Sequence, residues 1–85
     1  MSADIATLAN VGPVSAGWLR AVGIRTRDDL VACGPVAAYL AVRQAGFTAS
    51  LNLLWALAAA LDGRHWTALT DDEKAALRDE LAAAG

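Results

Sequence analysis

The sequence is poor in the residues that build catalytic and metal sites. Its 85 residues include one cysteine, Cys33, and one histidine, His65, so neither an intramolecular disulfide nor a structural zinc site can form. No nucleophile motif surrounds Ser2, Ser15 or Ser50, and no glycine-rich loop of the nucleotide-binding type is present. We therefore expect a non-enzymatic protein without a metal or a cofactor.

Long apolar runs and excess positive charge are also missing. The most apolar stretch, Leu51–Leu61, contains Asn52 and is too short to cross a membrane. No basic flank followed by an apolar run opens the chain, so we expect no signal peptide and a cytoplasmic protein. The net charge of −2 and the pI of about 5.0 exclude a simple basic nucleic-acid binder.

The sequence is rich in apolar residues that favour helices. Apolar residues make up 56% and charged residues 19%, which excludes a disordered chain. Alanine and leucine dominate and no stretch alternates apolar with polar residues, so we predict an all-α fold. We expect residues 1–85 to form a single domain, a compact bundle of about five to six short helices.

Glycine, proline and capping residues divide the chain into helices. Gly12-Pro13 and Gly34-Pro35 are typical helix starts, and Thr26 with Asp29 and Thr70 with Glu73 resemble capping boxes. The predicted helices cover residues 3–9 (with Ser2 as cap), 14–22, a short segment from Thr26, 36–45, Leu51–Leu61, and 71 to about 83.

An internal repeat is visible at an offset of 22 residues. Leu8–Leu19 and Leu30–Ala41 share the pattern L-x-x-x-G-P-V-x-A. One interpretation is a duplication that forms two helix–turn–helix units packed back to back. The other is that Gly-Pro is a common helix boundary and that alanine-rich helices look alike.

The first copy is close to a helix-hairpin-helix motif. Gly12 would allow the sharp turn, and Asn10 tolerates the left-handed region. The N–H groups of Val14, Ser15 and Ala16 would then lie at a helix start, where they can hold a phosphate. Such a hairpin binds the nucleic-acid backbone without reading bases.

Charge is unevenly divided along the chain. Residues 1–50 carry four arginines against three aspartates, whereas residues 51–85 carry an excess of acid. Any nucleic-acid face is therefore expected in the N-terminal half, around Arg20, Arg25 and Arg27, with weak and salt-dependent binding. The alternative is that these arginines form an ordinary solvated face.

Several segments together resemble the C-terminal domain of the TfoX (Sxy) family. They are Asn10–Ser15, Trp18-Leu19, Val22–Thr26, Asp29-Leu30, Ser50–Leu57 and Gly63–Trp66. The runs S-L-N-L-L-W-A-L and G-R-H-W are the specific parts. The resemblance implies an all-α fold of the helix-hairpin-helix type and, more weakly, a role in regulating natural competence in bacteria. Larger members of the family carry a separate domain ahead of this one.

We predict structural roles for four further residues, three of them in the C-terminal half. Leu51–Leu61 is apolar nearly all round, which predicts a buried central helix with Leu54 in the core. We expect Asn52 to hydrogen-bond a nearby turn, His65 to cap carbonyls at the end of that helix, and Cys33 to be a small buried residue.

Two functions stay open. The first is a small regulatory module, for transcription or competence control, that binds nucleic-acid backbone weakly through Asn10, Gly12, Val14, Ser15, Arg20, Arg25 and Arg27. The alternative is a protein-interaction module, an adaptor or a homodimer, with Tyr39 and Phe47 as interface candidates.

Overall fold

Five α-helices and two short 3₁₀ helices make up the part of the chain that the structure describes. The computed structural model describes residues 3–84. The α-helices are α1 (Pro13–Ala21), α2 (Arg27–Cys33), α3 (Pro35–Gln44), α4 (Leu51–Leu61) and α5 (Asp71–Ala84), and the 3₁₀ helices are Ile5–Thr7 and Trp66–Ala68. Within residues 3–84 no strand forms, and Asp4 and Thr26 make an isolated antiparallel bridge. The all-α prediction is confirmed.

The helix starts follow local sequence signals. α1 and α3 each begin at a proline in the first helical position, one residue earlier than predicted. There the missing N–H of proline costs no helical hydrogen bond. The hydroxyl of Thr26 accepts from the Asp29 N–H at 3.2 Å, and the Asp29 carboxylate accepts from the Thr26 N–H at 3.2 Å. Thr70 and Glu73 form the same capping box at the start of α5.

The first segment is less helical than predicted. A helix was expected over residues 3–9, but only the single 3₁₀ turn Ile5–Thr7 forms. The Asp4 carboxylate accepts from the Ala6 N–H at 2.9 Å and so fixes the start of the turn at residue 5. The backbone of Leu8 is extended, so the 3₁₀ turn ends before this residue. The proposed cap Ser2 lies outside the described residues.

The two halves of the sequence repeat adopt different backbones. Gly12 is extended, with φ −86°, and follows a loop, whereas Gly34 has φ +84° and joins α2 directly to α3. Glycine is favoured at Gly34 because side chains rarely adopt that region. The helical element that precedes Gly12 is the 3₁₀ turn Ile5–Thr7, whereas the element that precedes Gly34 is the α-helix α2. The structural repeat is therefore not confirmed.

The core is built around α4, as predicted. Seven of its eleven residues are buried, and it packs against α2, α3 and the second 3₁₀ helix. The largest fully buried side chains come from the first 3₁₀ helix and from α1 to α4; they are Tyr39, Ile5, Leu19, Leu30, Leu54, Leu57 and Val42. α5 contacts α3 and covers the core only through half-buried side chains such as Leu77 and Leu81. This arrangement leaves the starts of α1 and α4 at the surface.

Candidate binding site

The start of α1 offers fewer donors than the hairpin hypothesis requires. Gly12 is the N-cap and has no side chain to accept a capping bond, which leaves the N–H groups of Val14 and Ser15 without an intrahelical acceptor. The Ala16 N–H, however, donates to the Gly12 carbonyl at 2.9 Å. Including Ala16 among the available donors was therefore wrong. The Val14 side chain is 65% exposed, so an apolar group lies beside the two remaining donors.

Asn10, one of the predicted phosphate-binding residues, has a structural role in the fold. Its backbone is left-handed, with φ 68°, as the hairpin hypothesis expected. Its Nδ2 donates to the Arg64 carbonyl at 2.8 Å, and its Oδ1 accepts from the Trp66 N–H at 3.1 Å. Because both ends of the amide are engaged, this side chain connects two turns of the fold.

Two of the three predicted phosphate-binding arginines also make internal contacts. Arg20 forms an ion pair with Asp4 at 2.7 Å. A hydrogen bond from the Ala6 N–H and this guanidinium hold the pKa of the Asp4 carboxyl below its ordinary value. Arg27 donates to the Leu61 carbonyl at 3.0 Å and so caps the C-terminal end of α4. These contacts compete with phosphate for the same donors.

Arg25 is exposed, and its backbone is held by the following helix. Its N–H donates to the Asp29 carboxylate at 3.0 Å. This bond, with smaller contributions from Thr26 and from the Arg25 charge, lowers the pKa of the Asp29 carboxyl. Arg25 is thus the predicted arginine whose guanidinium is best placed for an external ligand, although an acidic residue lies beside it.

The two interface candidates have different environments. Tyr39 is 1% exposed, so it presents almost no surface to a second copy of the chain and its selection was wrong. Its hydroxyl donates to the Ala49 carbonyl at 3.5 Å and accepts from Arg43 at 3.2 Å. Phe47 is half-buried and stacks on Trp18, with ring centroids 5.7 Å apart.

An open groove of about 330 Å³ lies between the starts of α1 and α4 and the second 3₁₀ helix. We call it the Trp18–Trp66 groove. Its lining combines two indoles, two aliphatic side chains and five uncharged polar side chains: Asn10, Ser15, Trp18, Thr48, Ser50, Asn52, Leu53, Ala56 and Trp66. Of these, only Asn10 and Ser15 belonged to the predicted site. The sequence signal for the rest was weak, because the residues come from separate segments.

Two predictions about polar residues near the groove were wrong. Asn52 is exposed and lines the groove, instead of being a buried amide that bonds a turn. His65 does not cap α4; it is the N-cap of the second 3₁₀ helix, where its Nδ1 accepts from the Thr67 N–H at 3.3 Å. Arg27 provides the α4 cap that was assigned to His65. Tertiary packing decides the roles of Asn52 and His65, because the local sequence around each residue is compatible with both the predicted and the observed role.

A second cleft, of about 450 Å³, lies between Trp55 and α5. Trp55 is buried, and two cations of α5 lie over its ring: Lys74 Nζ at 5.8 Å and Arg78 Cζ at 5.9 Å from the centroid. Asp71 and Asp79 line the same cleft, so its charges balance. These cation–π contacts help to hold α5 on the body of the domain.

The described part of the chain holds no group of three or more His, Cys, Asp or Glu residues arranged to bind a metal ion. Cys33, which was expected to be buried, is exposed. Its Sγ is 3.6 Å from the Leu30 carbonyl, and partial burial of the sulfur raises the pKa of the thiol. Among residues 3–84, no helix has both the length and the apolar character needed to span a membrane.

Comparisons with known proteins agree with this architecture. The family model of the TfoX C-terminal domain matches residues 1–81. The crystal structure of an uncharacterized protein from Listeria monocytogenes, in a triclinic form, is similar with a TM-score of 0.86 and 27% identity. That match covers 96% of this chain and 93% of the other. Among the curated proteins, no match is found. The chain belongs to the TfoX C-terminal domain family.

Proposed function

We propose that the chain is a non-enzymatic, cytoplasmic regulatory module that binds another protein through the Trp18–Trp66 groove. The observation that carries the proposal is the contrast between two surfaces. The amide and two of the arginines expected to contact nucleic acid are engaged within the fold, through Asn10, Arg20 and Arg27. The groove, in contrast, offers solvent-accessible indole and uncharged polar groups.

The composition of the groove favours a protein partner. Protein interfaces are enriched in aromatic residues and depleted in charged ones at their centre. Trp66 is 36% exposed and Trp18 is half-buried in the same groove. A regulatory role is what the resemblance to competence regulators of the TfoX family implies. The groove gives such a regulator a surface through which to act on a protein.

A photo-crosslinking side chain at Asn52 tests the proposal in the cells from which the gene comes. We expect a crosslinked adduct with another protein, because Asn52 is exposed on the lining of the groove. The matched control carries the crosslinker at Val31, which is 52% exposed on α2 and does not line the groove. Absence of a protein adduct at Asn52, or equal adducts at both positions, contradicts the proposal.

A second copy of the chain is the simplest alternative partner. Light scattering of the purified protein at high micromolar concentration separates the two cases. A mass of 8.8 kDa indicates a monomer and leaves the groove to a different protein. A doubled mass that returns to the monomer value in Trp66→Ala identifies the partner as a second copy.

Weak binding to nucleic-acid backbone is the second candidate function. The uncapped start of α1, with the Val14 and Ser15 N–H groups, favours it. Titration of random duplex DNA with wild type and Arg25→Ala at two salt concentrations tests it, since Arg25 is exposed and Arg27→Ala would also remove the α4 cap. An affinity of about 10⁻⁴–10⁻⁶ M with a salt slope reduced by about one in the variant supports this candidate. No binding at low salt rejects it.

A further inference from the structure

We propose that the Trp18–Trp66 groove binds an uncharged, proline-rich segment of its partner in the polyproline II conformation. This inference rests on the proposed function and names the chemistry of the ligand. It starts from the lining of the groove, in which none of the nine side chains contributed by the described residues is ionised. A charged occupant would find no counter-ion in this lining, so the groove favours an occupant without charge.

The absence of charge in the lining excludes several recognition modes. Phosphorylated and acidic motifs are bound by arginine clusters, and single-stranded nucleic acids need cations along their backbone. Arg25 and Arg27 do not line the groove, and Arg64 is bound to Asp62 and Glu73. The groove therefore lacks the groups that either ligand requires.

The shape and polarity of the groove exclude two further modes. A peptide that adds a strand needs an open sheet edge, and within residues 3–84 no strand forms. An amphipathic helix needs a continuous apolar groove for its anchors. Five of the nine lining residues are polar, and they include Ser50 and Asn52 at the start of α4. A helical ligand would bury these groups without partners.

Polyproline II recognition matches the remaining features. Aromatic side chains bind proline-rich segments, and donors between them bind carbonyls, which in this conformation have no internal hydrogen bonds. Trp18 is held by its stacking on Phe47, and the backbone N–H of Trp66 donates to Asn10, which fixes the turn that carries the second indole. The Trp18 ring and the backbone of Trp66 are thus held in place before a ligand binds.

The polar side chains supply the hydrogen-bonding groups. Four of them are not hydrogen-bonded to any other residue that the structure describes: Ser15, Thr48, Ser50 and Asn52. Their hydroxyl and amide groups are free to donate to carbonyls of a bound chain. The volume of about 330 Å³ lies at the lower end for ligand sites, as expected for a few residues of an extended segment.

Isothermal titration of the purified protein with an uncharged, proline-rich peptide of about ten residues tests the inference. The matched peptide replaces each proline by glycine or serine and should bind more weakly. Trp66→Ala should weaken binding by about ten-fold or more, the loss typical of an aromatic anchor. Asn52→Asp, an exposed change that adds a charge to the groove, should also weaken it. Val31→Ala lies outside the groove and should bind as wild type does.

The outcomes separate this inference from the proposed function. No binding at millimolar peptide, or equal binding by wild type, Trp66→Ala and Asn52→Asp, overturns the inference. If the crosslink at Asn52 still captures a protein, the function stands and only the ligand class is wrong. If neither peptide nor crosslink is observed, both are wrong. Circular dichroism of each variant confirms that it is folded, and Asn52→Asp remains informative should Trp66→Ala unfold.

Discussion

The side chain of Asn10 donates a hydrogen bond to the backbone carbonyl of Arg64, 2.8 Å away and 54 positions later in the sequence. The same side chain accepts from the Trp66 N–H, so one amide ties the loop before α1 to the turn after α4. Asn10 also has φ 68°, a region that asparagine adopts more readily than most residues. This position therefore needs asparagine for two independent reasons, its backbone and its side chain.

Replacement of Asn10 separates these two reasons. Asn10→Gly keeps the left-handed backbone accessible and removes both hydrogen bonds, so we expect a loss of about 1–2 kcal/mol. Asn10→Ala removes the same bonds and adds a backbone penalty of about 1–2 kcal/mol. Urea unfolding followed by circular dichroism measures both free energies. Wild-type stability for Asn10→Gly would show that the bonds to Arg64 and Trp66 contribute nothing.

Leu54 tests the central position of α4. Its side chain is fully buried in a helix that packs against α2, α3 and the second 3₁₀ helix, so Leu54→Ala should lower the free energy of unfolding by about 2–5 kcal/mol. Asn52→Ala, on the exposed side of the same helix, is the control and should change it by no more than about 0.5 kcal/mol. Equal effects at the two positions would contradict the assignment of the buried face.

Features encoded by a few consecutive residues could be predicted from the sequence. The capping box of Thr70 and Glu73 needs only a four-residue pattern, and prolines at Pro13 and Pro35 mark helix starts without tertiary contacts. Leu51–Leu61 was predicted with its observed bounds because its apolar residues lie on nearly every face. In each case local chemistry restricts the backbone, whatever packs against it.

Features that depend on packing could not be predicted. The Arg27 contact to Leu61 joins residues 34 positions apart, and no local pattern indicates it. Asn52 was misassigned because a single polar residue in an apolar run fits either a bonded buried amide or the exposed line of the helix. The groove combines three separate segments, so its lining exists only once α1, α4 and the second 3₁₀ helix are placed. Tertiary geometry decides all three.

Cys33 should react more slowly than its exposure indicates. Partial burial of its sulfur raises the pKa of the thiol, so less of the reactive thiolate is present near neutral pH. We expect the native protein to react with a chromogenic disulfide reagent several-fold more slowly than the same protein unfolded in urea. The comparison is made at one pH and corrected for urea with a free-thiol standard. Equal corrected rates would show that the fold does not suppress the thiolate.

The ion pair between Arg64 and Glu73 should make stability depend on pH. The Arg64 guanidinium, with the Thr70 capping bond, lowers the pKa of Glu73 from 4.5 to about 2. Because the pKa is lower in the folded state, the stabilising contribution is fully present above the unfolded value. It is lost progressively as pH falls from about 5 toward about 2. Arg64 stays charged throughout, since its pKa is raised by the same contact.

Glu73→Gln is the matched variant for this ion pair. Glutamine can keep the capping box with Thr70 but removes the titrating charge. We expect wild type to be more stable than Glu73→Gln near neutral pH and the difference to vanish as the carboxyl protonates in acid. Both partners are solvent-accessible, so the difference should be modest and should shrink in high salt. Asp4 and Asp29 also have lowered pKa values, but they titrate in both proteins and cancel in the comparison. Urea unfolding midpoints of both proteins, measured across the acid range, test this prediction. A difference in stability between wild type and Glu73→Gln that stays constant with pH would show that ionisation of Glu73 is not its cause.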